Sequence, residues 1–106
     1  MLDFFGTWCA PCIDEIPRLK ELYSKTDRAK FDIIGIVGRS TPEGLKKLIE
    51  QHSLVWPQIL SDEIIEMYGI TSYPSTFILD TEGTVISRGL KGKELEEKIL
   101  SLINDL

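Results

Sequence analysis

The 106-residue chain predicts an α/β fold, a mixed sheet with helices on both faces. Three observations carry that expectation. Short apolar runs of strand length alternate with longer runs whose apolar residues recur every three or four positions. The run "FDIIGIV" is apolar almost throughout, as a strand covered on both faces should be. Two β-rich runs near the end flank a glycine turn, so antiparallel strands must join a sheet that starts from a parallel pair.

Taken in order, Leu2 to Phe5 reads as a short buried strand. Pro11 to about Lys25 reads as a helix, with Ile13, Ile16, Leu19 and Leu22/Tyr23 along one side. Phe31 to Val37 is the second strand. In "STPEGLKKLIEQH", Thr41 is the N-cap, Pro42 the first helical residue and Glu43 an acid in the first turn. Ser61-Asp62 opens another short helix that stops at Gly69, a residue suited to a left-handed C-terminal position. "STFILD" and "TVISRG" form a hairpin around Gly83. Lys93 to Leu106 closes the chain as a helix, with Leu95, Ile99, Leu102, Ile103 and Leu106 at helical spacing. The order is β-α-β-α-(α)-β-β-α within one domain, residues 1–106.

Composition narrows the function classes. The chain is long enough for one modest core, and 42% hydrophobic with 27% charged residues is ordinary for a globular chain. A net charge of -5 argues against a nucleic-acid surface or an anionic-membrane patch. No run approaches the roughly 18 apolar residues of a membrane span. The opening "MLDFF" has neither the basic lead nor the apolar stretch of a signal peptide.

The chemistry concentrates in "FFGTWCAPCIDEIP", which begins at Phe4 and holds both cysteines. Cys9 stands between a strand and a helix whose first turn contains Pro11. Unpaired N–H groups and the helix dipole there favour the thiolate, which is the nucleophilic form. Cys12 lies one turn along, near enough to close a disulfide. So small a loop constrains the unfolded chain little, which makes a purely stabilising bridge implausible. A zinc site of four cysteines, or of two cysteines and two histidines, cannot be assembled, because His52 is the only histidine. A copper site from two thiolates and His52, and a pair of inert buried thiols, stay open as alternatives. Redox chemistry leads.

"DFFGTWCAPCIDEIP" resembles the active-site segment of thioredoxin-like proteins, and "SYPSTFILDTEGTVISRG" resembles the second half of the same fold. The fit of "WCAPCIDEIP" to W-C-x-P-C-x-x-E-x-P points to the TlpA/ResA-like thiol:disulfide oxidoreductases. So do the 64 residues between Cys9 and Pro74, which leave room for the strand–helix insertion of that subgroup. The resemblance implies a thioredoxin-like mixed sheet and an enzyme that exchanges a Cys9–Cys12 dithiol or disulfide with protein disulfides or thiols. Cys9, exposed at the helix start, is the implied nucleophile, and the less exposed Cys12 the resolving thiol. Ala10-Pro11 forms the turn that tunes the pair. No cofactor beyond this disulfide and no metal is implied.

Supporting roles follow by position. Asp3 matches the carboxylate that thioredoxins place behind the second cysteine. Within an apolar strand it is costly unless paired or protonated, which makes it a candidate proton acceptor; a strand-start residue bonded to backbone is the plainer reading. Glu15 matches the ResA-like glutamate credited with acid–base work, against a solvated helix carboxylate. The resemblance implies a cis bond at Tyr73-Pro74, with Tyr73 presenting its backbone to a substrate strand. Trp8 is expected on the same substrate-binding surface, or else packed on the core edge. His52 is expected to complement a helix dipole, Trp56-Pro57 to form a core edge, and "GKELEEK" to be a solvated helix face.

A non-catalytic thioredoxin-like binding domain, or a thiol metallochaperone, is the competing class. A peroxidase reading fails because Gly6 stands where peroxiredoxin-like sites place Thr or Ser, three residues before the reactive cysteine. The family is mostly extracytoplasmic, often membrane-tethered, and its members carry a further N-terminal strand before this motif. The strand at Phe31 to Val37 is therefore expected to show an unpaired apolar edge. A monomer is expected, with an edge-paired dimer as the alternative.

Overall fold

Residues 1–106 are described by a computed structural model. The chain forms β1 (Leu2–Phe5), α1 (Ala10–Ser24), β2 (Ile34–Val37), α2 (Pro42–His52), β3 (Gln58–Leu60), α3 (Asp62–Met67), β4 (Ser75–Leu79), β5 (Val85–Arg88) and α4 (Gly92–Asn104). One five-stranded sheet runs β3-β2-β1-β4-β5. The β1–β2 and β2–β3 pairs are parallel, while β1–β4 and β4–β5 are antiparallel. The mixed sheet is thus the predicted one, with a strand added.

That strand overturns one expectation. β2 shows no free edge, because β3 pairs with it through Gly35↔Gln58, Ile36↔Ile59 and Val37↔Leu60. Three residues following Pro57 carry too little pattern to read as a strand, and Ile59 and Leu60 stay exposed because β3 is itself the sheet edge. β2 therefore offers no free edge for pairing with a second chain.

β2 is also shorter than "FDIIGIV" suggests. The Lys30 and Phe31 N–H groups both donate to the Asp27 carbonyl, so the chain is still turning there. Asp32 Oδ1 accepts from the Ile33 N–H and from the Tyr23 hydroxyl. Phe31 and Ile33 are apolar because this loop packs into the core.

Strand alternation sorts the sheet into two faces. On one, Phe5, Val37 and Ile78 meet Cys12, Ile16, Leu19 and Leu22 of α1, Leu45 and Leu48 of α2, and Leu95 and Ile99 of α4. On the other, Leu2, Phe4, Ile36 and Phe77 pack with Ile65 of α3. Phe4, Tyr68 and Phe77 form a ring cluster there, with centroids 5.2 to 5.5 Å apart. Helices cover both faces, as predicted.

The caps account for the boundaries. Thr41 Oγ1 accepts from the Gly44 N–H, and Ser61 Oγ from the Ile64 N–H. His52 falls in the last turn of α2, where a basic group complements the helix dipole. Gly69 adopts φ 66° just past α3. α4 starts one residue before Lys93, at Gly92, and its own N-cap residue, Lys91, makes no side-chain cap. A side chain from α1 supplies one instead.

Candidate active site

β1 ends at Phe5, and the turn through Gly6 delivers Cys9 as the N-cap residue of α1, with φ -90° and ψ 105°. Its N–H donates to the Gly6 carbonyl at 3.1 Å. Gly6 is required for packing: a Cβ there would lie 2.6 Å from the Trp8 ring. Cys9 and Cys12 are joined as a disulfide, with Cα atoms 5.3 Å apart. Cys9 Sγ also accepts from the Cys12 N–H at 3.3 Å. That N–H is one of the unpaired helix-start donors, so it is aimed at the sulfur on which thiolate charge would develop.

One expected contrast between the cysteines is absent. Cys9 and Cys12 are equally buried, each 5% exposed, and both belong to the main core cluster. The cap position turns the Cys9 sulfur back toward the helix start rather than outward. Ala10 and Pro11, between the two, are exposed.

Asp3 points to the face that carries α1, since Leu2 and Phe4 point to the other. Burial lifts its carboxyl to about 7, and the negative charge of Glu15 adds to the effect. Two of the expected residues are thus electrostatically coupled. Glu15 is not simply solvated: its Oε1 accepts from the Gly92 N–H at 2.9 Å. It therefore caps α4 from α1 and ties the cysteine-bearing helix to the last element. Arg18 lies 3.9 Å from the same oxygen.

Trp8 and Tyr73 also meet. Their rings stand edge to face, with centroids 5.6 Å apart. Trp8 is 54% exposed, although its Nε1 donates to the Arg39 carbonyl at 2.9 Å. The Tyr73-Pro74 peptide is cis, as the resemblance implied. Burial raises the Tyr73 hydroxyl, with Arg39 opposing and Asp62 reinforcing the effect. Trp8 and Tyr73 line a groove of about 660 Å³ with Arg39, Asp62, Thr71 and Ser72.

Sequence reasoning missed what holds Trp8. Arg39 adopts φ 48°, and its N–H donates to Asp62 Oδ1 at 2.8 Å. Ser40 Oγ accepts from the Thr7 N–H at 3.1 Å. The loop after β2 is thus pinned from two sides and offers its carbonyl to the indole. Nothing in "GRS" points to a partner 31 residues away. No group of three His, Cys, Asp or Glu side chains converges in a metal-holding cluster, and His52 lies at the far end of α2 from its N-cap, Thr41.

Residues 1–88 match the model of the AhpC/TSA family. A thiol-disulfide oxidoreductase ResA from Bacillus thuringiensis subsp. konkukian is 35% identical over 100 residues, covering 92% of this chain and 57% of the relative. A ResA from Geobacillus kaustophilus is 31% identical over 106 residues, covering 96% of this chain and 61% of the relative. The chain thus spans little more than half the length of these relatives. Among solved structures, the thioredoxin domain of a thiol-disulfide oxidoreductase from Bacteroides vulgatus superposes with a TM-score of 0.87 at 28% identity, covering 97% of this chain and 77% of that one. A thiol:disulfide interchange protein from Bacteroides sp. gives 0.85 at 28% identity, covering 97% and 71%.

Proposed function

The chain belongs to the AhpC/TSA family, and we propose that it is a thiol:disulfide oxidoreductase whose Cys9–Cys12 pair exchanges with protein disulfides or thiols. The observation that carries this reading is a disulfide at the N-cap of α1, the helix covering the sheet face on which a buried carboxyl is lifted to about 7. In the reducing direction, the Cys9 thiolate attacks one sulfur of a substrate disulfide. The substrate S–S bond breaks, one substrate thiolate leaves, and a mixed disulfide forms. Cys12 loses its proton and attacks Cys9 Sγ. The Cys9–Cys12 bond forms, the second substrate thiolate leaves, and two electrons have passed to the substrate. With a partner of higher reducing power the same steps run backward.

Asp3 takes the Cys12 proton in this reading. A carboxyl poised near neutrality can both accept and return a proton at physiological pH. Glu15 supports it by position and charge, with one oxygen already engaged by the Gly92 N–H. Trp8, Tyr73 and Pro74 flank the substrate, and Ala10-Pro11 sets the turn between the sulfurs. The exchange needs no cofactor or metal beyond the disulfide itself.

Residues 1–106 act as a single thioredoxin-like domain whose partners are proteins bearing thiols or disulfides. No helix is long and apolar enough to cross a membrane. The likeness to ResA proteins supports an extracytoplasmic setting, and a monomer agrees with β2 lying inside the sheet. Insulin reduction driven by dithiothreitol tests the activity. The wild-type chain should accelerate it and Cys9→Ser should not. An inert wild type, or a Cys9→Ser variant as fast as the wild type, would leave only a binding domain.

A further inference from the structure

Four residues in register form a row across the sheet face beneath α1. Thr76 pairs with Asp3, Asp3 with Gly35, and Gly35 with Gln58. The row is polar, with Thr76 5% and Asp3 8% exposed and Gln58 part-buried on the edge strand. Thr76 directs its hydroxyl to the Leu90 carbonyl, so it has no proton left for Asp3. Gly35 has no side chain, and the amide of Gln58 fills its place. A Cβ on Gly35 would collide with Gln58 Oε1 first, then with its carbonyl carbon and Nε2. Adjacent strands lie about 4.8 Å apart, so the amide occupies the slot immediately beside Asp3.

The amide is also oriented. Gln58 Nε2 donates to the Trp56 carbonyl at 3.5 Å, and Oε1 is buried with no donor of its own. A buried acceptor without a donor is destabilising, and such groups are rare. The Trp56 indole Nε1–H is also buried without a partner and is a donor on Gln58's own strand side; across the Gly35 gap, the group able to supply a proton is the acid form of Asp3. We propose that Gln58 is a positioning residue for Asp3, its Oε1 accepting a hydrogen bond from the protonated carboxyl and so favouring that form.

Other groups facing Asp3 do not substitute for it. Glu15 of α1 is the charge that acts on it, and β2 contributes only Gly35. The apolar side chains of α1, α2 and α4 fill the rest of that face. Burial and Glu15 already raise Asp3, and an acceptor for its proton works in the same direction. The proposal deepens the reading of Asp3 as the acid–base group and takes its catalytic meaning from it.

Carboxyl carbon NMR of the oxidised chain, titrated from pH 4 to 9, tests the coupling without recourse to activity. Gln58→Leu keeps the volume and removes the acceptor, so the Asp3 midpoint should fall by roughly half to one pH unit. Gly35→Ala, which evicts the amide, should lower it too and serves if the leucine variant does not fold. If Gln58 only fills space, or serves Trp56 alone, leucine leaves the midpoint unchanged or raises it, and the proposal fails. Asp3→Asn separates the two claims. An unchanged pH profile of insulin reduction in that variant sinks the acid–base reading, while the NMR shift still judges Gln58.

Discussion

Asp3→Asn should change the pH dependence of stability more than stability at any single pH. The Asp3 carboxyl ionises at about 7 in the folded chain against an ordinary value of 3.8, because it is buried and lies near Glu15. An acid raised in this way holds its proton more tightly folded than unfolded. Its neutral form is accommodated fully below about pH 4. Between pH 4 and 7 the unfolded state releases the proton first, so stability falls as pH rises, and the loss is complete above 7. At 1.36 kcal/mol for each tenfold change, ionised Asp3 costs about 4 kcal/mol. That is a large share of the roughly 5–15 kcal/mol expected for a small domain. Asparagine never ionises, and whatever its amide costs on burial is the same at every pH. Urea unfolding of the oxidised protein, followed by tryptophan fluorescence at pH 4 to 8, reads the difference. The variant should gain about 4 kcal/mol on the wild type across that range. A difference that stays flat with pH would refute the assignment of a buried, proton-holding carboxyl.

Glu15→Gln should lower the Asp3 midpoint in carboxyl NMR, since it removes the charge that reinforces burial while leaving an oxygen for the Gly92 N–H. Trp8→Ala removes an exposed ring and its contact with Tyr73, and should raise KM for a protein disulfide roughly two- to tenfold with kcat little changed. Leu95→Ala should cost about 2–5 kcal/mol in urea unfolding, because Leu95 is only 1% exposed where α4 meets the core.

The motif and the caps were legible because their signals are local. Thr41 and Ser61 announce helices through bonds to residues three positions on, Pro42 does so by its fixed φ at the first helical position, and the Cys9–Cys12 pair declares its chemistry within one turn. β3 was not legible, since three residues at a sheet edge need not alternate. Phe31 and Ile33 misled for the opposite reason. Their hydrophobicity reports burial, which a loop packed into the core shares with a strand. At the site, Asp3 stood out as a charge in an apolar run. The Glu15 cap on Gly92 spans 77 residues, and the Asp62–Arg39–Trp8 chain joins three elements. Gln58 looks like an ordinary surface amide until the strand register places it across Gly35 from Asp3. Contacts of that kind depend on pairing that no local pattern encodes.

The central claim is that Cys9 attacks and Cys12 resolves. Cys12→Ser removes the resolving thiol, so the reaction should stop at the mixed disulfide. Reduced Cys12→Ser protein incubated with a disulfide-bonded peptide, quenched in acid and analysed by intact and peptide mass spectrometry, measures this directly. The account predicts a stable adduct of one peptide chain on Cys9. No adduct, despite a reactive Cys9 thiol, would contradict it.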